Sequence, residues 1–353
     1  MSMREDEQKV KENYITGHIK HMSGPIPLVS TDYGMADVFG AMMVRWGINR
    51  DRYRVTPGLY AVGSPDSSSD VFVTANYKLS FDTLRKNLQG INGWILVLDT
   101  KGINVWCAAG KGTFGSEELI KKIHEVSLWK IVNHRRIILP QLGATGVAAH
   151  MVKEECGFNV HYGPVRASDI KSFIKDGYRA TMKMRKVTFN FVDRVKLIPN
   201  DFMYGKFYLL GAVALVFLIS FIRNEGNISH GSVTIGLNAV LNIFLAYISG
   251  IVITPVLLPY LPGRQFFLKG LFSGIIIAFI LFVLDRTGDN IFEKIAWFMI
   301  IPVISSFMAM NFTGSSTYTS LSGVKKEMKT AIPVQITLSA AGVILLIIGK
   351  VLN

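Results

Sequence analysis

The stretch WILVLDTKGINVWCAAGKGTFG, Trp94–Gly115, with SEELIKKIHEVSLWKIV after it, Ser116–Val132, decides the fold class. Its apolar opening predicts a strand over Trp94–Asp99, and Thr100-Lys101-Gly102 turns the chain. Asn104 is a good N-cap, so a short helix is expected to start there with Cys107 at its third position and Gly110 stopping it. Ser116 is a second N-cap, with Glu117 and Glu118 in a first turn where the helix dipole favours negative charge, and a longer helix is expected over Ser116–Val132. The same grammar extends on both sides. Val71–Ala75, Arg136–Leu139 and Asn159–Tyr162 read as strands, and Ser80–Gln89 and Thr145–Glu155 as helices. Such alternation predicts an α/β domain with a mostly parallel sheet and helices on its faces, and ligands in these folds sit at the carboxyl ends of the strands.

This reading covers only part of the 353 residues. Half of the chain is hydrophobic and 18% is charged, against roughly a quarter charged in ordinary soluble domains. Residues 1–200 hold 28 Lys/Arg and 19 Asp/Glu, leaving 10 and 6 beyond. The first part therefore reads as a soluble domain and the second as membrane. Met1–Gly24 is polar, without the apolar run of a cleaved signal peptide. Five apolar segments follow, Phe202–Ile222, Ser232–Leu258, Phe266–Leu284, Ile295–Phe312 and Thr330–Ile348, each near the ~20 residues that cross a bilayer. Pro255 and Pro259 are expected to kink the end of the second or take it out of the bilayer early, and Thr313–Thr330 reads as a connector. The expected organisation is a domain over 1–180, a basic linker over 181–201 and a five-helix transmembrane domain over 202–353. Lys183, Arg185, Lys186, Arg194, Lys196, Arg264, Lys269, Lys325, Lys326 and Lys329 would share the side of the soluble domain. The positive-inside rule makes that side cytoplasmic, in an inner (cell) membrane, with the C-terminus on the opposite face. Membrane lipid accounts for the net charge of +13, and no basic stripe with interleaved aromatics calls for nucleic acid.

Common catalytic motifs fail. Gly110-Lys111-Gly112-Thr113 looks like the tail of a phosphate loop, but Val105 stands where the first glycine belongs. None of the seven histidines has H-E-x-x-H spacing, and they read as surface or core. With two cysteines, Cys107 and Cys156, the chain holds no four-cysteine iron–sulfur cluster. What stands out is NVWCAAGK, Asn104–Lys111. At the third position of a helix, unpaired N–H groups and the dipole favour a thiolate, and Lys111 adds positive charge. Ala108 and Ala109 are too small to block a broad, flat ligand. On residue type alone, a cysteine between Trp and Ala is most often a core residue.

The run NVWCAAGK resembles, residue for residue, the cap helix of the membrane-bound corrinoid proteins of mercury methylation. The likeness extends to VFVTANYKLSFD at Val71–Asp82, ILPQLGATGVAAH at Ile138–His150 and YGPVRASDI at Tyr162–Ile170. These outer segments also resemble the large subunits of corrinoid iron–sulfur proteins of acetyl-CoA metabolism, to which that family is related. Unlike those relatives, this chain lacks cluster cysteines and has a membrane part. The resemblance implies a Rossmann-like domain holding a base-off cobalamin with Cys107 as the lower axial ligand of cobalt. It implies that Asn104, Val105, Trp106, Ala108, Ala109, Gly110 and Lys111 shape the helix under the corrin. Thr74, Asn76, Gln141, Gly143, Ala144, Thr145, Gly146, Gly163, Pro164 and Arg166 stand in the matching loops, several of them lining the corrin or its tail. For each loop glycine a plain turn is as good a reading, and for Arg166 a surface ion pair.

The implied activity is a corrinoid-dependent methyltransferase that passes a methyl group from Cys-ligated methyl-cobalt(III) to Hg(II), forming methylmercury. Hg(II) is a soft electrophile and needs the methyl with its electrons; a thiolate trans to it is a strong donor that weakens the cobalt–carbon bond. Implied partners are a small ferredoxin-like iron–sulfur protein as electron donor and a methyl donor protein or methyl-folate system, in an anaerobic setting. Two other readings stay open. One is a corrinoid methyl carrier of acetyl-CoA-type metabolism. The other is a non-enzymatic membrane protein that binds cobalamin or mercury, although Cys107 and Cys156 lie 49 positions apart.

Overall fold

The computed structural model describes residues 13–21, 24–223, 230–315 and 321–351. The chain divides into two compact units, Met1–Val44 with Ile48–Val187, and Arg45–Gly47 with Thr188–Asn353.

The first unit is built on a seven-stranded sheet, β1 (Ile15–His21), β2 (Gly24–Val29), β3 (Gly58–Val62), β4 (Asp70–Ala75), β5 (Gly93–Leu98), β6 (Arg136–Leu139) and β7 (Asn159–Tyr162). Their spatial order is β1-β2-β3-β5-β4-β6-β7. Four of the six pairings are parallel; β1 with β2 and β3 with β5 are antiparallel. The sheet is therefore mostly parallel, as the sequence predicts.

Side-chain alternation divides the core. Val71, Val73, Ala75, Trp94, Leu96, Leu98, Ile137 and Leu139 point to one face. Phe72, Ile95, Val97 and Ile138 point to the other. On the first face lie α3 (Val105–Lys111), α4 (Ser116–Glu125) and α5 (Ala149–Cys156), and on the second α2 (Lys78–Asn87) and α6 (Ile170–Lys175). Covered on both sides, β4 and β5 are buried along their whole length. A further helix, α1 (Met35–Arg45), precedes β3.

From β4 the chain steps to β5 on one side, then passes over β4 to β6 and on to β7. The order therefore reverses between β4 and β6, and a crevice opens outside their carboxyl ends at such a point.

The first unit ends on the one-turn helix α7 (Met182–Arg185), and the second unit is helical: α8 (Phe191–Val195), α9 (Ile198–Arg223), α10 (His230–Ile248), α11 (Thr254–Val256), α12 (Phe266–Val283), α13 (Ile291–Ser315) and α14 (Leu321–Val351). Four stretches among the described residues are long and apolar enough to cross a membrane: Gly236–Val256, Phe266–Val283, Ile291–Phe312 and Gly323–Gly349. The first expected span, Phe202–Ile222, falls within α9, whose side chains beyond residue 217 lie outside the described residues.

The kink expected from Pro255 takes the form of a π-turn, Ser249–Ile253, before α11. Proline supplies no N–H to the preceding turn, so the helix widens there. Thr254 Oγ1 donates to the Ser249 carbonyl at 2.9 Å across the wide turn. The connector expected over Thr313–Thr330 is mostly helix, since α13 continues to Ser315 and α14 begins at Leu321; residues 316–320 lie outside the described residues.

Candidate functional site

Asn104 starts α3 as its N-cap: its Oδ1 accepts the Cys107 N–H at 3.0 Å, which fixes Cys107 at the third helical position. The helix does not stop at Gly110. It continues to Lys111 and closes at Gly112, whose φ of 83° is the left-handed geometry of a glycine C-cap. Gly110 is thereby left inside the helix.

The two faces of α3 are sharply different. Val105, Ala108 and Ala109 are buried in the core of the first unit. Trp106 and Cys107 are half-exposed, and Gly110 and Lys111 are exposed. Cys107 is thus not a core residue. It shares the outer face with Gly110, one turn on, where an added Cβ would meet no atom within 4 Å. The small size of Ala109 serves packing instead. Gly146 presses against it, and a Cβ on Gly146 would stand 3.0 Å from the Ala109 Cα and fall on the Phe114 carbonyl. Gly143 lies over the Phe114 ring in the same way, at 2.5 Å for an added Cβ. Gly143 and Gly146 are close-approach residues that seat the β6–α5 loop on α3.

Asn76, at the end of β4, organises the turn that leads into α3. It is 2% exposed. Its Oδ1 accepts from the Thr100 N–H at 3.2 Å, the Thr100 hydroxyl at 2.9 Å and the Gly102 N–H at 2.9 Å. Its Nδ2 donates to Asp99 Oδ1 at 3.1 Å. The neighbouring Thr74 is buried within the strand. Asp99 is tied twice more: its N–H donates to Glu118 Oε1 at 2.9 Å, and its carboxylate pairs with Lys101. Burial would raise the Asp99 carboxyl, but the Lys101 contact outweighs it and holds the group below its ordinary value. Sequence reading gives Thr100 only a turn and Glu118 only a place in the first turn of a helix; a Thr directly after the Asp that follows β5 is the signal that marks the first as part of the site.

After β6, Pro140 leads into a 3₁₀ turn, Gln141–Gly143. Gln141 Oε1 is buried with no hydrogen-bond partner among the described residues. Ala144 is half-buried and Thr145 exposed, in the turn before α5 and not in it. The expected helix Thr145–Glu155 is thereby shortened at its start. Tyr162, the last residue of β7, holds this loop by donating from its hydroxyl to the Val147 carbonyl at 2.7 Å. Gly163 and Pro164 follow, buried, with the Gly163 N–H on the Leu139 carbonyl at 2.7 Å. Arg166 is exposed.

Two expected details of α4 change. Gly115, not Ser116, is its N-cap residue, and the Ser116 Oγ accepts from the Ala148 N–H at 2.8 Å instead. The helix ends at Glu125, because Ser127 takes a left-handed φ of 49° and a 3₁₀ turn follows.

The sequence-predicted residues thus gather at the carboxyl edge: α3 after β5, Thr74 on β4 and Asn76 directly after it, residues 141–146 after β6 and 163–166 after β7. Among the described residues, no three His, Cys, Asp or Glu side chains share a centre that could hold a metal ion.

Residues 34–174 match the family described as CO dehydrogenase/acetyl-CoA synthase delta subunit. The gamma subunit of the acetyl-CoA decarbonylase/synthase complex of Archaeoglobus fulgidus is 33% identical over 131 residues, 36% of this chain and 27% of the relative. The corrinoid/iron-sulfur protein large subunit of Moorella thermoacetica is 31% identical over 124 residues, 35% of this chain and 27% of the relative. The gamma subunit of Methanocaldococcus jannaschii is 31% identical over 131 residues, 36% of this chain and 26% of the relative. The chain spans about a quarter of the length of these curated relatives. Through the domain that carries α3 and the carboxyl-edge loops, this chain is related to the large subunits of the corrinoid iron–sulfur proteins.

Proposed function

We propose that this chain is a membrane-embedded corrinoid methyltransferase that delivers a methyl group to Hg(II). The observation that carries the proposal is the outer face of α3: Cys107 stands beside the open surface of Gly110, at the carboxyl edge of a domain related to corrinoid proteins. The site suits such a group in two ways. Gly110 leaves room for a flat ring to lie against the helix without meeting a side chain. Gln141 Oε1 is a buried acceptor without a partner among the described residues, suited to one of the amides that rim a corrin.

Bound there, a corrinoid would supply a cobalt-borne methyl group. The residues would do the rest. Cys107 Sγ would help hold the group as a sulfur donor, its place in the helix set by the Asn104 cap. Trp106 and Lys111 would flank it on the same face. The network of Asn76, Thr100 and Gly102 would keep the helix at a fixed height above the sheet. With that sulfur donor the group would supply its methyl in the electron-rich form that a soft acceptor such as Hg(II) takes.

By this reading α9, α10 and α12–α14 cross the cell membrane with the corrinoid domain in the cytoplasm, supported by four apolar stretches and the distribution of basic residues. The partners would be a small ferredoxin-like protein that returns electrons and a methyl donor protein or methyl-folate system. A domain over 1–180 and a basic linker over 181–201 complete the layout.

One observation favours a second reading. The matched relatives are named as subunits of acetyl-CoA decarbonylase/synthase complexes, so a methyl carrier of that metabolism would resemble them too. A single-turnover assay separates the two. The purified full chain, loaded with methylcobalamin, should convert Hg(II) to methylmercury, and Cys107→Ala should not, while Cys156→Ala should retain most of the activity. Transfer to a thiol or nickel acceptor with none to Hg(II) would replace the first reading by the second.

A further inference from the structure

Helix α1 carries an apolar face that the first unit leaves uncovered. Met35 is 83% exposed, Val38 46%, Phe39 59%, Met42 47%, and Trp46, just past the helix end, 39%. Their spacing, i, i+3, i+4, i+7 and i+11, puts them in one stripe. The opposite face is firmly attached. Ala41 and Val44 are buried, and Asp37 reaches inward to Lys78 Nζ at 3.0 Å and Arg85 at 2.8 Å. The stripe is therefore a surface held out by a well-anchored helix, not a frayed segment, and contiguous exposed apolar patches of this kind mark interaction sites.

Charge and neighbours narrow the partner. Met35–Ile48 contains only two charged residues, the inward-turned Asp37 and Arg45. Exposed Arg52 and Arg54 follow closely. Within the second unit, the Trp46 ring meets Phe202 edge-on at 6.2 Å. Phe202 opens a row on α9 in which Tyr204, Phe207 and Tyr208 are exposed around Lys206. Aromatic residues mixed with lysine are the composition of the layer where bilayer meets water.

We infer that the α1 stripe lies in the interfacial layer of the membrane, with Met35, Phe39 and Met42 among the upper acyl chains and the arginines at anionic headgroups. This rests on the membrane reading given above, which requires the second unit to be inserted.

The test uses the full chain reconstituted in anionic phospholipid vesicles whose lipids carry bromine near the headgroup or near the bilayer centre. Phe39→Trp reports on the stripe, Phe279→Trp on the exposed face of α12, and Glu117→Trp on the exposed start of α4. The emission added by Phe39→Trp should be lost with shallow bromine and kept with deep bromine. Phe279→Trp should be quenched by at least one of the two lipids, and Glu117→Trp by neither. If Phe279→Trp is quenched while Phe39→Trp behaves like Glu117→Trp, the stripe is not in lipid; the inference is overturned and the membrane reading stands. If Phe279→Trp escapes both lipids, the membrane reading fails and takes the inference with it.

Discussion

Cys107 and Gly110 owe their shared outer face to one side-chain hydrogen bond and one glycine C-cap. Asn104→Ala removes the cap and should cost about 1 kcal/mol, seen as a lower midpoint of thermal unfolding. Sequence alone gives the room for a flat ligand to Ala108 and Ala109; the structure gives it to Gly110, because both alanines face the core. Two substitutions separate these assignments. Ala109→Leu pushes into Gly146 and should destabilise the domain by about 1–3 kcal/mol, with or without ligand. Gly110→Leu projects into open space, so stability should hold while cobalamin occupancy falls. Full occupancy in Gly110→Leu would show that the ring does not lie on this face. The cap position was legible because Asn-x-x-Cys places an acceptor at the right spacing. The true C-cap was not, because Gly110 and Gly112 are both plausible stops and only packing chooses between them.

A charged layer lies between α1 and α2. Lys78 bridges Asp37 and Asp82, and Arg85, fully buried, bridges the same two acids and donates to the Ser30 and Asp32 carbonyls at 2.8 and 2.7 Å. Arg85→Met leaves two carboxylates facing one lysine, and breaking a buried pair in this way should cost about 3–5 kcal/mol. The layer also predicts a response to acid. Burial tends to raise the Asp37 carboxyl, but hydrogen bonds from Arg85 and Lys78 outweigh it and hold the group below its ordinary value of 3.8. A carboxylate depressed in the folded state contributes stability above its unfolded value and loses it as pH falls through the folded one. Amide exchange in α1 should therefore rise below about pH 4, earlier than exchange in β4 and β5; identical onset would argue against a role for Asp37.

This region also shows what the sequence conceals. Strands β4 to β7 were legible because each is a short apolar run bounded by turn residues. β1 to β3 were not. β2 reads GPIPLV, and prolines argue against a strand. Pro25 and Pro27 are tolerated because only Leu28 and Val29 pair with β3, while β1, an edge strand of alternating pattern, covers the rest. The hydrophobic stripe of α1 was hidden for a different reason: an apolar helix normally reads as core, and this one is not.

After the mostly parallel α/β domain comes a helical unit whose helices are held by very close contacts. Gly270 and Gly274 on α12 face α13, where an added Cβ on Gly270 would stand 2.5 Å from the Ala309 Cβ and one on Gly274 2.5 Å from the Pro302 Cα. Beside them the hydroxyls of Ser249, Thr254, Ser273 and Ser305 bond to one another, all buried. Small residues and shared hydroxyls are what hold helices together where water exclusion supplies no drive. Gly270→Val should separate α12 from α13 and lower the unfolding temperature in detergent beyond the effect of Ser273→Ala, which loses the hydrogen bonds to Ser249, Thr254, Ser305 and the Gly270 carbonyl at about 0.6 kcal/mol each. Equal effects would mean that hydroxyls rather than close approach govern the pairing.

On the proposed reading the Cys107 sulfur on the outer face of α3 binds the cobalt of a corrinoid, and the electronic absorption spectrum of the cobalamin-loaded full chain is the test. The expected result is a sulfur-to-cobalt charge-transfer band in the unsubstituted chain, present in Cys156→Ala and missing from Cys107→Ala at equal cobalamin occupancy. Identical spectra for the unsubstituted chain and Cys107→Ala would mean that Cys107 does not bind cobalt.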